Sequence, residues 1–228
     1  MTDNISPILQ EIQAEITKTA RVLDHMAADE TLLSVIVTVA DVCVRALRKG
    51  GRILLAGNGG SAADAQHLAA ELVCRLQLER SALPAIALTS DTAILTAIGN
   101  DYGYERIFDR QVEAIGRIGD VFIGFSTSAC SQNIVLALKR ARAKEMVTVG
   151  FLGHNSGPIE PLCDYRLSVP DRKTQRIQEG CIVLGHILCA LIEKAMFSES
   201  LVAEFRRFSS QRISEFQAMS RERMQSSS

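Results

Sequence analysis

The sequence predicts an α/β fold: a doubly wound, five-stranded parallel sheet flanked by helices, with a helical preface at its N-terminal end. Three observations carry this. Five short runs of aliphatic and β-branched residues follow Gly50-Gly51. Helical patterns separate the first four of them. Those four are nearly continuously apolar, which is how strands buried on both faces read.

Taken in order, residues 5 to 49 carry apolar side chains at helical spacing, including Ile8, Leu9, Ile12 and Ile16, then Leu32, Leu33, Val35, Ile36, Val39 and Val42. Asp29-Glu30 interrupts the pattern, so two helices are expected. The strand runs are Arg52 to Ala56, Ala85 to Leu88, Val121 to Phe125, Val147 to Phe151 and Tyr165 to Val169. Crossover helices are expected over Ala62 to Arg75, Thr92 to Ile115 and Asn133 to Lys144, and a last apolar helix over Arg176 to Phe197. Beyond it the chain is polar and ends in serines. Phe205, Phe208, Ile213 and Phe216 sit there among many charges, so the segment reads as a solvated surface helix with a frayed end or, alternatively, as a docking element for a neighbouring subunit or another partner.

Composition narrows the function classes. The 228 residues include 25 Lys+Arg and 26 Asp+Glu, for a net charge of -1. With no long basic stretch, there is no electrostatic case for nucleic acid or an anionic membrane as partner. The N-terminal residues have neither a basic nor an apolar leader segment, and no apolar stretch reaches the ~20 residues of a membrane span. Six scattered cysteines without a Cys-x-x-Cys pair read as reduced thiols in a cytoplasmic protein.

In open α/β sheets ligands bind at the carboxyl ends of the strands. Here the first strand runs into Gly57-Asn58-Gly59-Gly60-Ser61, whose glycines permit positive φ and let backbone N–H groups approach an anion at a helix N-terminus. Gly57-x-Gly59-x-x-Ala62 also fits a loose dinucleotide-binding pattern. A ribose-binding acid is expected about 20 residues on, however, and Asp91 comes much later, behind Thr89 and Ser90. No Walker lysine follows the loop either. The third strand runs into Ser126-Thr127-Ser128-Ala129-Cys130-Ser131, where three consecutive hydroxyls and Ser131 at a cap position can hold the oxygens of one terminal phosphate. Two such loops on neighbouring strand ends point to a small phosphorylated ligand.

The helix after the first loop holds His67 and Glu71 four residues apart, on one face. Such a pair can serve as general base and acid, as two ligands of a divalent metal, or as an ordinary surface hydrogen bond. The last helix adds Gln178 near its start and His186 within an apolar run. These two lie eight residues apart, a rise of about 12 Å. Either long side chains converge from both ends, or the site lies at a subunit contact where another chain fills the gap.

The run from Gly57 to Glu71 resembles the phosphoheptose isomerases of the sugar-isomerase (SIS) domain superfamily. So do Leu83 to Thr89, Ala97 to Gly103, Ser126-Thr127-Ser128, Arg176 to Glu179, and Gly185 to Cys189. The resemblance covers about residues 5 to 197. It implies a homotetramer that converts sedoheptulose 7-phosphate to D-glycero-D-manno-heptose 7-phosphate through an enediolate, an early step toward ADP-heptose and the lipopolysaccharide core. It implies Glu71 and His186 as the catalytic pair. Asn58, Gly59, Gly60, Asn100, Asp101, Ser126, Thr127, Ser128, Ser131 and Gln178 then contact substrate, and His67, Glu71, Gln178 and His186 hold one zinc ion per subunit. On this reading residues 1–49 are helices on the core and at a subunit interface, 50–197 form the isomerase domain, and 198–228 are a polar extension.

The chain departs from the family's phosphate loop, which reads Ser-Thr-Ser-Gly-Asn-Ser. Ala129 and Cys130 stand at the fourth and fifth places. If the same backbone is required, Ala129 is strained by about 1–2 kcal/mol, and Cys130 replaces an amide with a poor donor. Two rival readings exist. One is a non-catalytic tetramer on the same scaffold, resembling the DnaA-binding initiator-associating proteins, but Glu71 and His186 are both present here. The other is an isomerase of a different phosphosugar.

Overall fold

Pro7 opens the first helix, where its missing N–H and fixed φ are tolerated best. In the structure, a computed structural model that describes residues 6–198 and Arg207, this helix, α1, runs Pro7–Ala28 and α2 runs Glu30–Arg48. The break falls at Asp29, whose carboxylate caps α2 by accepting from the Leu32 N–H at 3.0 Å. The strands follow as β1 (Ile53–Ala56), β2 (Ala85–Ala87), β3 (Val121–Ser126), β4 (Val147–Leu152) and β5 (Tyr165–Ser168). All pairings are parallel, in the order β2-β1-β3-β4-β5.

Alternation along the strands divides the core in two. Ile53, Leu55, Val121, Ile123, Phe125, Val149 and Phe151 face α1, α2, α3 (Gly60–Val73) and α7 (Thr174–Met196). Leu54, Ala56, Phe122 and Leu152 face the other way, with α5 (Asp109–Ile115) and α6 (Gln132–Ala143). The remaining helix, α4 (Thr92–Tyr102), has no fully buried residue. No described helix is long and apolar enough to cross a membrane.

Two expectations need correction. The segment from Thr92 to Ile115 is not one helix: α4 stops at Gly103, which takes φ 91°, and a 3-10 turn at Tyr104–Arg106 precedes α5. Only glycine enters that region cheaply. The Ala85 run is apolar yet not buried on both faces. As the three-residue edge strand β2 it leaves Ile86 exposed. The sequence beyond residue 198, including Phe205, Phe208, Ile213 and Phe216, lies outside the described residues apart from Arg207, as do residues 1–5.

The strand order reverses direction between β1 and β3. Chain leaving β1 turns toward β2, whereas chain leaving β3 turns toward β4. A crevice forms at the carboxyl ends of two strands whose connections diverge. The glycine loop and the hydroxyl loop flank it.

Candidate active site

The glycine loop is tightly built. Gly59 takes φ 56° and ψ -123° as it enters α3, and a Cβ on Gly57 would fall 2.4 Å from the Ser61 carbonyl oxygen. A side chain at Gly57 would therefore push the loop off α3. Gly60 lies against Gln178, whose amide nitrogen would be 2.5 Å from a Cβ there. The start of α7 thus sits on the start of α3, and the two helices run side by side in the same direction. Further along, a Cβ on Gly185 would meet Leu68 at 2.5 Å, so this glycine lets the helices approach closely.

That approach assembles the reactive groups. His67 Nε2 and His186 Nε2 are 2.8 Å apart, and Glu71 Oε1 lies 3.4 Å from His67 Nε2. The two imidazoles face each other nitrogen to nitrogen, so one donates and the other accepts, and a single proton lies between them. One ligand atom from each of the three residues falls within 4.8 Å of the others. Two imidazole nitrogens and a carboxylate oxygen suit zinc chemically. Tetrahedral coordination needs the nitrogens about 3.3 Å apart, so a small rotation of either ring admits the ion. Gln178 is not part of this cluster within one chain. Its amide stays at Gly60, two turns of α7 away.

Asp64 was not singled out from the sequence, although it precedes His67 by three residues and Glu71 by seven and so shares their helical stripe. Its Oδ2 is buried without a hydrogen-bond partner among the described residues. Burial raises its carboxyl above the usual range, against the opposing pull of His67 and His186. An orphaned buried acceptor beside two imidazoles again suits a cation or a substrate hydroxyl at this point.

Across the crevice, Ser131 is the N-cap residue of α6, but its side chain makes no capping bond. Its hydroxyl pairs instead with that of Ser126 at 2.9 Å. The Ser128 hydroxyl is exposed and accepts only a long bond, 3.3 Å, from the Cys130 N–H. Thr127 is half-buried between them. Ala129 does adopt the left-handed backbone, with φ 56°, and is fully buried. Its carbonyl accepts from the Ile159 N–H, and Gly157 packs so closely that a Cβ there would fall 2.4 Å from that oxygen. The strain expected of alanine is therefore present.

Asn58 joins the two loops. Its side chain forms a reciprocal amide pair with buried Asn133, at 2.9 and 2.8 Å, and accepts from the Tyr104 hydroxyl at 2.9 Å. Much of its bonding capacity is committed inside the protein, and Asn133, also unforeseen, is its anchor. These residues line a cavity of about 430 Å³ with Glu105, Ser131 and Gln132. Asn100 and Asp101 lie near the end of α4, exposed, with Asn100 donating to Asp101 at 2.8 Å.

The SIS domain family matches residues 15–153. A phosphoheptose isomerase of Burkholderia pseudomallei is 54% identical over 191 residues, 84% of this chain and 97% of that protein. One of Aneurinibacillus thermoaerophilus is 50% identical over 192 residues, again 84% of this chain and 97% of the relative. Among solved structures, a phosphoheptose isomerase from Neisseria gonorrhoeae superposes with a TM-score of 0.77 at 39% identity, over 82% of this chain and 99% of that one. Another, from Francisella tularensis, reaches 0.79 at 34% identity, over 83% and 100%.

Proposed function

Because the chain belongs to the phosphoheptose isomerase family of SIS-domain enzymes, we propose that it converts sedoheptulose 7-phosphate to D-glycero-D-manno-heptose 7-phosphate for ADP-heptose synthesis. The observation that carries this reading is the His67, Glu71 and His186 cluster, two imidazoles and a carboxylate whose ligand atoms lie within 4.8 Å of one another.

The reaction moves a proton between C1 and C2 of the sugar and another between their oxygens. Glu71 takes the carbon-bound proton at one carbon and returns it at the other. His186 serves the oxygens, giving a proton to one and taking it from the other as the enediolate forms and collapses. Ser126, Thr127, Ser128 and Ser131 hold the phosphate. Anchoring the far end of the sugar fixes its reactive end against Glu71. Gly59 and Gly60 offer backbone N–H groups, while Asn58 shapes the crevice through Asn133. We assign His67, Glu71 and His186 as the residues that would hold zinc; Gln178, which the family resemblance adds to this set, sits at Gly60 and does not join them within one chain. The ion, when bound, stabilises negative charge developing on the enediolate oxygens.

We further propose a cytoplasmic homotetramer. Ile8, Leu9, Ile12 and Ile16 on α1 are each more than half exposed, a row of apolar surface suited to a second copy of the chain. α4, with no fully buried residue, is the natural place for Asn100 and Asp101 to meet a neighbouring subunit's substrate. Residues 1–49 then work as part of the 50–197 isomerase domain, since α1 and α2 share its core, and 198–228 is an appended extension.

The test is direct. Purified protein incubated with sedoheptulose 7-phosphate, with and without zinc, is expected to form the aldose, and no product under either condition sinks the assignment. Faster turnover of a shorter phosphosugar keeps the isomerase and changes its substrate. A solution mass other than four chains removes the tetramer.

A further inference from the structure

Glu71 stands on the last turn of α3 and His186 on the middle of α7, so their separation depends on how the end of α3 is tied to α7. Helices leave their last carbonyls without intrahelical donors. Here a buried ion pair supplies them. The Arg80 guanidinium, only 2% exposed, donates through Nη2 to the Glu71 carbonyl at 2.9 Å and through Nη1 to the Leu72 carbonyl at 2.8 Å. Weaker or flanking bonds reach the carbonyls of Cys74 and Ser81.

The other half of the pair is Glu193, wholly buried on α7 two turns beyond His186. Its carboxylate accepts from Arg80 Nε at 3.0 Å and from the N–H groups of Leu76, Gln77 and Leu78 at 3.0, 2.8 and 3.0 Å. Burial would raise this carboxyl, but these donors outweigh it and hold its pKa below the ordinary value. Apart from the Arg80 bond to the Ser81 carbonyl, the bonds of the node clamp the exit of α3 or fasten it to α7.

We propose that Arg80 and Glu193 form a positioning device for the isomerase chemistry, fixing the Glu71 backbone against His186: Arg80 caps the end of α3 and is itself held by Glu193 on the helix that carries His186. Neither side chain touches the reacting groups. They act through the register of two parallel helices. This inference rests on the reading of Glu71 and His186 as the reacting pair. A bidentate guanidinium is required, because a lysine keeps the charge for Glu193 but cannot reach the Glu71 and Leu72 carbonyls together with the carboxylate.

The test is Arg80→Lys in the full-length protein. It is expected to keep its assembly state and circular dichroism, to lose at least tenfold in kcat, and to change KM less than twofold. Carbon-13 labelling of histidine rings adds a readout independent of turnover. The His67 and His186 signals are expected to move, while those of exposed His25 and His154 stay. Val112→Ala, a cavity in the opposite core, lowers Tm without changing kcat and separates positioning from mere destabilisation. A kcat within twofold of the wild type, or unmoved His67 and His186 signals, overturns the proposal. If Arg80→Lys does not fold, the pair Arg80→Met with Glu193→Gln leaves no lone buried charge and is judged by the same criteria. If the wild type itself does not turn over sedoheptulose 7-phosphate, the functional reading fails and the node is decided on the ring signals alone.

Discussion

The seam between α3 and α7 and the hydroxyl loop after β3 are built on opposite plans. In the seam, His67 and His186 come from segments 119 residues apart and are held by a glycine contact and a buried ion pair. In the loop, Ser126 through Ser131 are consecutive, and the backbone strains to present them, with buried Ala129 at φ 56°. The seam spends long-range structure on placing reactive groups, whereas the loop is a local cradle. Chemistry should therefore be sensitive to changes in the seam and binding to changes in the loop.

The largest effect that can break this contrast is expected at Glu71. Replacing it by Gln removes the base while preserving shape, and kcat should fall by about 10²- to 10⁴-fold with the fold intact. Retained turnover would move the base elsewhere, with Asp64 the next candidate. In the loop, Ser128→Ala removes an exposed hydroxyl from a charged phosphate. KM should rise about tenfold or more, by the worth of a charge-assisted hydrogen bond, with kcat changed less than threefold. A fall in kcat with KM constant would place chemistry in the loop and erase the distinction.

Acid should weaken the seam before the loop. Glu193 has a lowered pKa in the folded state. Its stabilisation is therefore full above the unfolded value of about 4.3 and is lost as pH falls through the depressed folded value. Thermal unfolding followed between pH 6 and 3 should show Tm dropping below about pH 4, and a Glu193→Gln variant should show a shallower drop. The smallest effect is expected from Ala129→Gly. Relief of about 1–2 kcal/mol of strain is offset by about 0.5–1 kcal/mol of unfolded-state entropy and by a lost methyl contact. A Tm gain of no more than a few degrees is expected, and a clear loss would show that the loop is not strained as its φ indicates.

Much of the local structure could be read directly. Asp29 marked the helix break because a short carboxylate can cap a helix wherever it occurs, and the strand runs stood out because burial on both faces demands apolar side chains. Gly103 was passed over, since a glycine within an apolar helical pattern signals a break only once its φ is known. The apolar β2 run gave no sign of being an edge, because strand order is set by pairing and not by composition. In the site, His67 and Glu71 were visible as a helical pair, yet Asp64 on the same stripe went unnoticed. Its importance lies in an oxygen left unpaired by burial.

By itself the sequence determined what neighbouring residues can encode: helix and strand periodicity, the glycine turn, the run of hydroxyls, and motifs specific enough to point to a family. Tertiary structure alone decided which distant residues meet. It set His67 against His186, Asn58 against Asn133, and Arg80 between Glu193 and the end of α3. It also kept Gln178 at Gly60, apart from the histidines. The physical reason is that spacing along a chain fixes geometry only within a few turns of an element, whereas such contacts depend on how whole helices pack against one sheet.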